Sequence, residues 1–367
     1  MGGGGSGNAP PWKGESAVTL SAFLTHLAFA FSLVILSIVI TRLMISRIRI
    51  LDIPNERSSH DNPIPKSGGI AIVATFFIGV VIVAIVAETT MINRVYFYGF
   101  AISALLIAAI SLYDDMKNKP FLMKLLTQIV AVAVVLAAGI VIDKINIPFS
   151  GDVQLGWLGY PVSFLWILGL TNAFNFMDGL DGLAGGVALI ASLFFCAITF
   201  LQGSLFVYII SYTIIAGTMG FLIYNFPTAR IFMGDVGSAF LGFTFAVLAI
   251  VAARYDRSHT SFFVMPLLLF HFIYDTAFTF SRRLLSRQKV TEAHRTHLYQ
   301  LFQRLGYNHP TVAVFHYGLS LLQGVAAVLM VNAPGDSRRL LFFAPFIAIE
   351  VIYSYIIIKS AKKAGLL

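Results

Sequence analysis

Ten stretches of roughly twenty apolar residues punctuate this chain, near 18–41, 69–88, 95–113, 121–142, 183–201, 204–224, 236–253, 261–281, 311–331 and 339–358. A helix needs about 20 such residues to cross a bilayer, and inside the hydrocarbon it must satisfy its own backbone amides. Repeated this often, the pattern excludes a soluble globule and dictates a bundle of spanning helices. Composition agrees: the chain is 58% hydrophobic and 11% charged, where a soluble domain carries about a quarter charged residues. An eleventh stretch, 157–171, is shorter but opens with Trp157 and Tyr160, which favour the membrane interface. The sequence therefore reads as an all-α integral membrane protein, a polytopic bundle of about 11 transmembrane helices.

Residues 1–17, MGGGGSGNAPPWKGESA, read as a flexible tail or tag remnant, and residues 18–367 as a single transmembrane domain. GGGGSG is no phosphate loop, since no Lys-Ser/Thr follows it and no strand precedes it. Cys196, the only cysteine, lies in an apolar run, which excludes an internal disulfide and marks a packing residue.

Basic residues set the orientation. With the N-terminus outside, the outer side carries Lys13, Arg94, Lys144, Arg254, Arg257, Arg338 and Arg339, which leaves 18 of the 25 Lys and Arg inside, among them Arg49, Arg57, Lys119 and Lys124. That asymmetry predicts a cytoplasmic C-terminus. The net charge of +8 is then a positive-inside signature and no sign of nucleic-acid binding.

The same topology gathers the polar chemistry on the cytoplasmic face, in loops 50–68, 114–120, 172–182, 225–238 and 282–310. They carry YDDMKNK (113–119), NAFNFMDGLDG (172–182), NFPTARIFMGDVGS (225–238) and RRLLSRQKVTEAHRTHLYQ (282–300). Asp114, Asp115, Asp178, Asp181 and Asp235 thus share a side with Lys117, Arg282, Arg283, His294, Arg295 and His297. Carboxylates and amide oxygens are hard ligands suited to Mg²⁺, and Arg and Lys bind phosphate oxygens. Together they make the layout of a phosphoryl-transfer site. Asn172, Asn175, Asp178 and Asp181 recur every third residue, a spacing that drifts by about 60° per step around a helix. The competing reading of these four is plain helix capping.

These motifs resemble the polyprenyl-phosphate N-acetylhexosamine-1-phosphate transferases. Members include the bacterial enzymes that start O-antigen, enterobacterial common antigen and teichoic acid linkage units, the phospho-MurNAc-pentapeptide translocase and the eukaryotic dolichol enzyme. The resemblance runs from about Ile50 to Arg304, on PIPKSGG (63–69), the Asp114–Asp115 pair, NAFNFMDGLDGL, NFPTARIFMGDVGS and YDTAFTFSRR (274–283). Eleven helices look more like the O-antigen and common-antigen branch than like the ten-helix peptidoglycan enzyme.

The resemblance implies that Asp235 and Asn175 hold Mg²⁺, with Mn²⁺ as an allowed substitute, on the donor diphosphate. It implies that Asp114, Asp115, Asp178 and Asp181 line the active site, that Phe232 stacks on uracil and that Asn225 bonds the nucleoside. Lys66, Lys117, Asn172, Arg283, His294, Arg295 and His297 complete the substrate-binding set. Where many relatives end the last loop in an HxHH pattern, this chain reads HRTHLYQ, with Tyr299 and Gln300 in place of the last two histidines. That departure bears on which sugar is taken rather than on the reaction.

The implied reaction is attack by undecaprenyl phosphate on a UDP-N-acetylhexosamine, releasing UMP at the cytoplasmic face of the bacterial inner membrane and starting a cell-surface glycan such as O-antigen. Direct attack and a covalent aspartyl-phosphate route both remain open, as does a homodimer. A secondary transporter is the alternative class, since transporters also bury ionisable groups. Asp275, about a turn and a half inside its helix, reads as structuring the site. His26, His259, His271, His309 and His316 are scattered and receive no ligand role.

Cysteine placed at Arg94 or Lys144 is expected to react with an impermeant thiol reagent added outside intact cells, and cysteine at Gln288 to react only after permeabilisation. The reverse pattern would put the polar loops on the outer face.

Overall fold

The structure, a computed structural model, describes residues 20–48, 50–54, 62–86, 92–117, 121–147, 151–289, 292, 294–333 and 336–367. The tail and Arg49, Arg57 and Lys119 lie outside the described residues.

Each apolar run becomes a helix. The first four are α1 (Leu20–Arg47), α2 (Gly69–Val86), α3 (Arg94–Lys117) and α4 (Phe121–Ala137). They are followed by α5 (Gly159–Phe176), α6 (Leu183–Leu201), α7 (Val207–Asn225) and α8 (Gly234–Arg254). The ninth run is broken at Leu269 into α9 (Val264–Leu268) and α10 (Phe270–Leu285). A short α11 (Leu298–Arg304) precedes α12 (His309–Asn332) and α13 (Ala344–Lys363). Among the described residues, eight helices are long and apolar enough to cross a membrane: α1, α2, α3, α6, α7, α8, α12 and α13. The other three runs fall on α4, on α5 and on the broken pair α9–α10.

Among the described residues, two hairpins depart from an all-helical reading. β1 (Leu51–Asp52) pairs antiparallel with β2 (Ile64–Pro65), with Leu51 opposite Pro65. β3 (Lys144–Ile147) pairs with β4 (Gly151–Gln154) at the other end of the bundle, with Lys144 opposite Gln154. Both lie in connections, where water or neighbours can satisfy a strand edge.

α8 is the axis of the bundle. Every residue from Val236 to Ala252 is buried, whereas α1 keeps a face of Leu27, Phe31, Ile35 and Val39 exposed, as a lipid-facing helix should. α5, α3 and α2 surround α8. Lipid is as apolar as leucine, so these contacts rest on close packing rather than on exclusion of water. Aromatic edges supply part of it: Phe76 meets Phe240 at 5.0 Å, and Phe174 meets Phe245 at 5.7 Å. Small residues supply the rest, as where Gly242 lies against the Leu170 carbonyl.

The same device docks PIPKSGG onto the start of α8. Phe232 N donates to the Pro65 carbonyl at 2.7 Å, Gly68 N to the Phe232 carbonyl at 2.9 Å and Gly69 N to the Met233 carbonyl at 2.8 Å. A Cβ at Gly69 would collide with the backbone of Gly237. Gly69→Ala is therefore expected to cost roughly 1–3 kcal/mol, the usual range for overpacking. The check is a lowered melting temperature of the detergent-solubilised protein, and an unchanged value would contradict this packing.

Candidate active site

One end of the bundle collects the C-termini of α3, α5 and α7 and the N-termini of α4, α8 and α12. Gly234 opens α8 with φ +70°, and a Cβ there would strike the Lys66 carbonyl and come within 2.8 Å of the Asp115 carboxylate. Only glycine fits. Asp235 follows in the first turn of α8, where free N–H groups and the helix dipole favour an anion. Asp115 Oδ2 accepts from Val236 N at 3.1 Å, so a carboxylate from α3 caps the same turn. Lys66 Nζ lies 3.8 Å from Asp115 Oδ1.

Asp235 is held from two further helices. Lys124 Nζ, on α4, donates to Asp235 Oδ2 at 2.5 Å and to Asn175 Oδ1 at 2.9 Å. Asn175 Nδ2, on α5, donates to Asp235 Oδ1 and to Ser238 Oγ, both at 2.8 Å. One turn deeper, Asn172 Nδ2 donates to Gln128 Oε1 at 2.8 Å. α4 and α5 are thus stitched by Lys124 with Asn175 and Gln128 with Asn172. The side chain of Asp114 reaches Asp235 by a hydrogen bond, and Lys117 is exposed at the end of α3.

The turn after α5 carries the other two acids. Asp181 Oδ2 accepts from Ala229 N at 3.0 Å, and Asp181 Oδ1 lies 3.2 Å from His309 Nδ1. Burial, then the charges of Asp235, Asp115 and Asp181, push the Asp178 carboxyl up to about 8. Asn225 is almost fully buried and spends its amide on the chain itself, accepting from Gly182 N at 3.1 Å and donating to the Ile231 carbonyl at 2.8 Å. Phe232 is half-buried beside the docked Pro65.

The HRTHLYQ segment stands next to this end, fixed by Asp275. Asp275 Oδ1 accepts from Leu298 N at 3.0 Å and faces His297 Nδ1 at 3.1 Å, while Oδ2 accepts from Tyr299 N at 3.0 Å. A carboxylate from α10 therefore caps α11, the structuring role read from the sequence. Tyr299 is fully buried, and its hydroxyl donates to the Phe176 carbonyl at 2.9 Å. It is an anchor against the end of α5, and Gln300, at the cavity rim, donates to the Tyr299 hydroxyl at 3.2 Å and accepts from His297 N at 3.3 Å. His294 stacks on His297 with ring centres 5.0 Å apart. Burial, then His297, Arg283 and Arg282, bring the His294 imidazole down to about 4, so it is neutral at physiological pH. Arg304 Nη1 donates to the Arg295 carbonyl at 3.0 Å.

Between α5 and α10 lies a cavity of about 680 Å³. Leu165, Trp166, Leu170, Ile273 and Phe280 make its apolar wall, and Arg283, Glu292, His294, His297 and Gln300 its polar rim. Asn172 borders the cavity on one side of α5 while its amide reaches α4 on the other.

Among the described residues no three His, Cys, Asp or Glu side chains converge as an ion cage. Mg²⁺ does not demand one, since it keeps several waters and takes one or two carboxylates with substrate phosphates. Crowded hard oxygens, which together with burial raise Asp178 to about 8, suit a divalent cation that arrives with a diphosphate.

Of the residues expected from sequence, Asp114, Asp115, Asp178, Asp235, Asn175 and Lys66 come together, with Asp181, Asn225 and Phe232 behind them. Asn172, Arg283, His294 and His297 line the cavity instead. Lys124 and His309 were missed as site residues. Lys124 had been counted only towards orientation, although a lone Lys on an apolar helix four residues before Gln128 was a signal. For His309 the signal was its place between Asn308 and Pro310, a helix start at the acidic face.

A family model described as glycosyl transferase family 4 matches residues 97–253. The chain is similar to a probable undecaprenyl-phosphate N-acetylglucosaminyl 1-phosphate transferase of Bacillus subtilis (strain 168), 30% identical over 336 residues, or 90% of this chain and 92% of the relative. It is 31% identical over 305 residues to the decaprenyl-phosphate N-acetylglucosaminephosphotransferase of Mycobacterium tuberculosis (strain CDC 1551 / Oshkosh), covering 75% and 74% of the two chains. With a phospho-N-acetylmuramoyl-pentapeptide-transferase of Listeria welshimeri it shares 32% identity over 194 residues, 52% of this chain and 57% of the relative.

Asp275→Ala should strip the start of α11 of its cap. The expected result is faster hydrogen exchange at the amides of Leu298 and Tyr299 with unchanged protection in α8. Unaltered exchange at those two amides would show that the loop is held by something else.

Proposed function

Because the chain belongs to the polyprenyl-phosphate N-acetylhexosamine-1-phosphate transferases, we propose that it transfers N-acetylglucosamine 1-phosphate from UDP-N-acetylglucosamine to undecaprenyl phosphate. UMP leaves, and the product is the first lipid-linked intermediate of a cell-surface glycan. The observation that carries this reading is the junction of α4, α5 and α8, where Lys124, Asn175 and Asp235 meet beside four more aspartates. The choice of sugar follows the names of the Bacillus and Mycobacterium relatives.

The division of labour follows from charge. Mg²⁺ held at Asp235 with the donor diphosphate would offset negative charge there. Asp235 and Asn175 would hold it, and Lys124 would turn its ammonium to a phosphate oxygen. The acceptor, a phosphate monoester with a second pKa near ~6, is largely a dianion at neutral pH and attacks directly without a general base. The site then works by positioning and charge complementarity. The apolar cavity between α5 and α10 suits the isoprenoid chain, with its phosphate near the Arg283 rim. His294, being neutral, serves as a hydrogen-bonding group, and the cationic part of that rim falls to Arg283. The five clustered aspartates sit at helix ends or in the adjoining turns rather than midway along the helices, which favours transfer over transport.

Purified protein in detergent is expected to release UMP from UDP-N-acetylglucosamine only with undecaprenyl phosphate and Mg²⁺ present, and EDTA should stop it. Asp235→Asn should nearly abolish turnover. Lys124→Met, which removes the cation shared by the half-buried Asp235 and Asn175, should lower kcat on the order of 100-fold, equivalent to about 2.7 kcal/mol. Turnover by Asp235→Asn within a few-fold of wild type would refute the metal assignment.

A further inference from the structure

The fold treats the two aspartates of DGLDG differently. Asp181 is clamped: Ala229 N donates to one oxygen at 3.0 Å and His309 Nδ1 meets the other at 3.2 Å. The neighbouring Gly182 is clamped as well, its N donating to Asn225 Oδ1 at 3.1 Å and its carbonyl accepting from the Tyr317 hydroxyl at 2.5 Å. The carboxylate of Asp178, three residues before Asp181, has no hydrogen-bond partner among the described residues, is largely buried and lies in the field of Asp235, Asp115 and Asp181.

Two of those clamps come from α12. His309 is its first residue, and the turn that presents it is fixed because Asn308 Oδ1 accepts from Thr311 N at 2.9 Å. Tyr317 stands two turns further along the helix and packs so closely on Gly186 that no side chain fits there. The side chains of His309 and Asp181 are 16% and 10% exposed, so water does not substitute freely for their contact. Helix N-termini also favour a carboxylate, which strengthens the hold on Asp181.

We propose that His309 is a positioning residue for the transfer reaction, acting through Asp181 to fix the 178–182 turn so that Asp178 faces the reacting phosphates. Asp181 organises, and Asp178 meets substrate. His309 itself touches neither donor nor acceptor. The inference rests on the transferase reading, and wild-type UMP release in the same assay tests that reading separately.

The experiment is a double-mutant cycle on kcat, measured by single-turnover UMP release for His309→Ala, Asp181→Ala and the pair together. His309→Ala is expected to lower kcat by about 10- to 100-fold, with KM for both substrates within about threefold of wild type. In the Asp181→Ala background the same change should cost less than about threefold. His309→Asn, whose amide N–H replaces Nδ1, should recover kcat to within about threefold of wild type. An unreduced penalty in the Asp181→Ala background, a loss confined to KM, or His309→Asn as poor as His309→Ala would each overturn the proposal. If wild type releases UMP and the cycle is additive, the function stands and this role for His309 falls.

Discussion

The ammonium of Lys124, set between Asp235 and Asn175, is the contact on which the rest of the site depends. Five aspartates gather at one end of an apolar bundle, in a region of low dielectric where like charges repel strongly. Such a group is tolerable only if cations and donors are built in with it. Lys124 meets that need directly and joins three helices in doing so, since its partners lie on α5 and α8. Lys66 and the amides at the start of α8 do the same for Asp115. The charge left over is what a divalent cation and a diphosphate would complete.

That contact is possible because α8 is immobilised along its whole length. A helix buried from Val236 to Ala252 cannot rotate without disturbing every neighbour, so its first turn, with Asp235, has a fixed address. Close backbone approaches at Gly69, Gly234 and Gly242 set the depth at which α2, the PIPKSGG strand and α5 meet it. In a bilayer, where apolar contact with lipid is no worse than contact with protein, such steric fit carries the specificity.

The other half of the site is arranged by a different device. Asp275, inside α10, caps α11, and Tyr299 locks that short helix to the Phe176 carbonyl at the end of α5. The cavity between α5 and α10 is therefore framed by the same helix that supplies Asn175 on its other side. An apolar cavity rimmed by Arg283, Glu292 and two imidazoles is separated from the acidic cluster by one helix, an arrangement that, under the proposed reaction, would let a lipid and a nucleotide approach one junction from two directions.

Much of this was legible in the sequence. Apolar runs of about twenty residues have only one solution in a bilayer, so the helices could be placed from composition and length alone. The asymmetric distribution of Lys and Arg put the DD, NxxNxxDGxDG and FMGD motifs on one face, and the acids do meet there. What periodicity could not reveal is partnership across helices distant in sequence. Lys124 reads as one more orienting cation until Asp235, 111 residues away, is brought beside it. His309 reads as a stray imidazole until α12 docks against the DGLDG turn, and Tyr299 as a group facing the sugar until Gly179 leaves room for it to be buried. The sequence determined which residues are polar and that their motifs share one end of the bundle, because transfer free energies act residue by residue. Only the tertiary structure decided which acids are clamped by other side chains and which are not, because that depends on which side chains happen to meet.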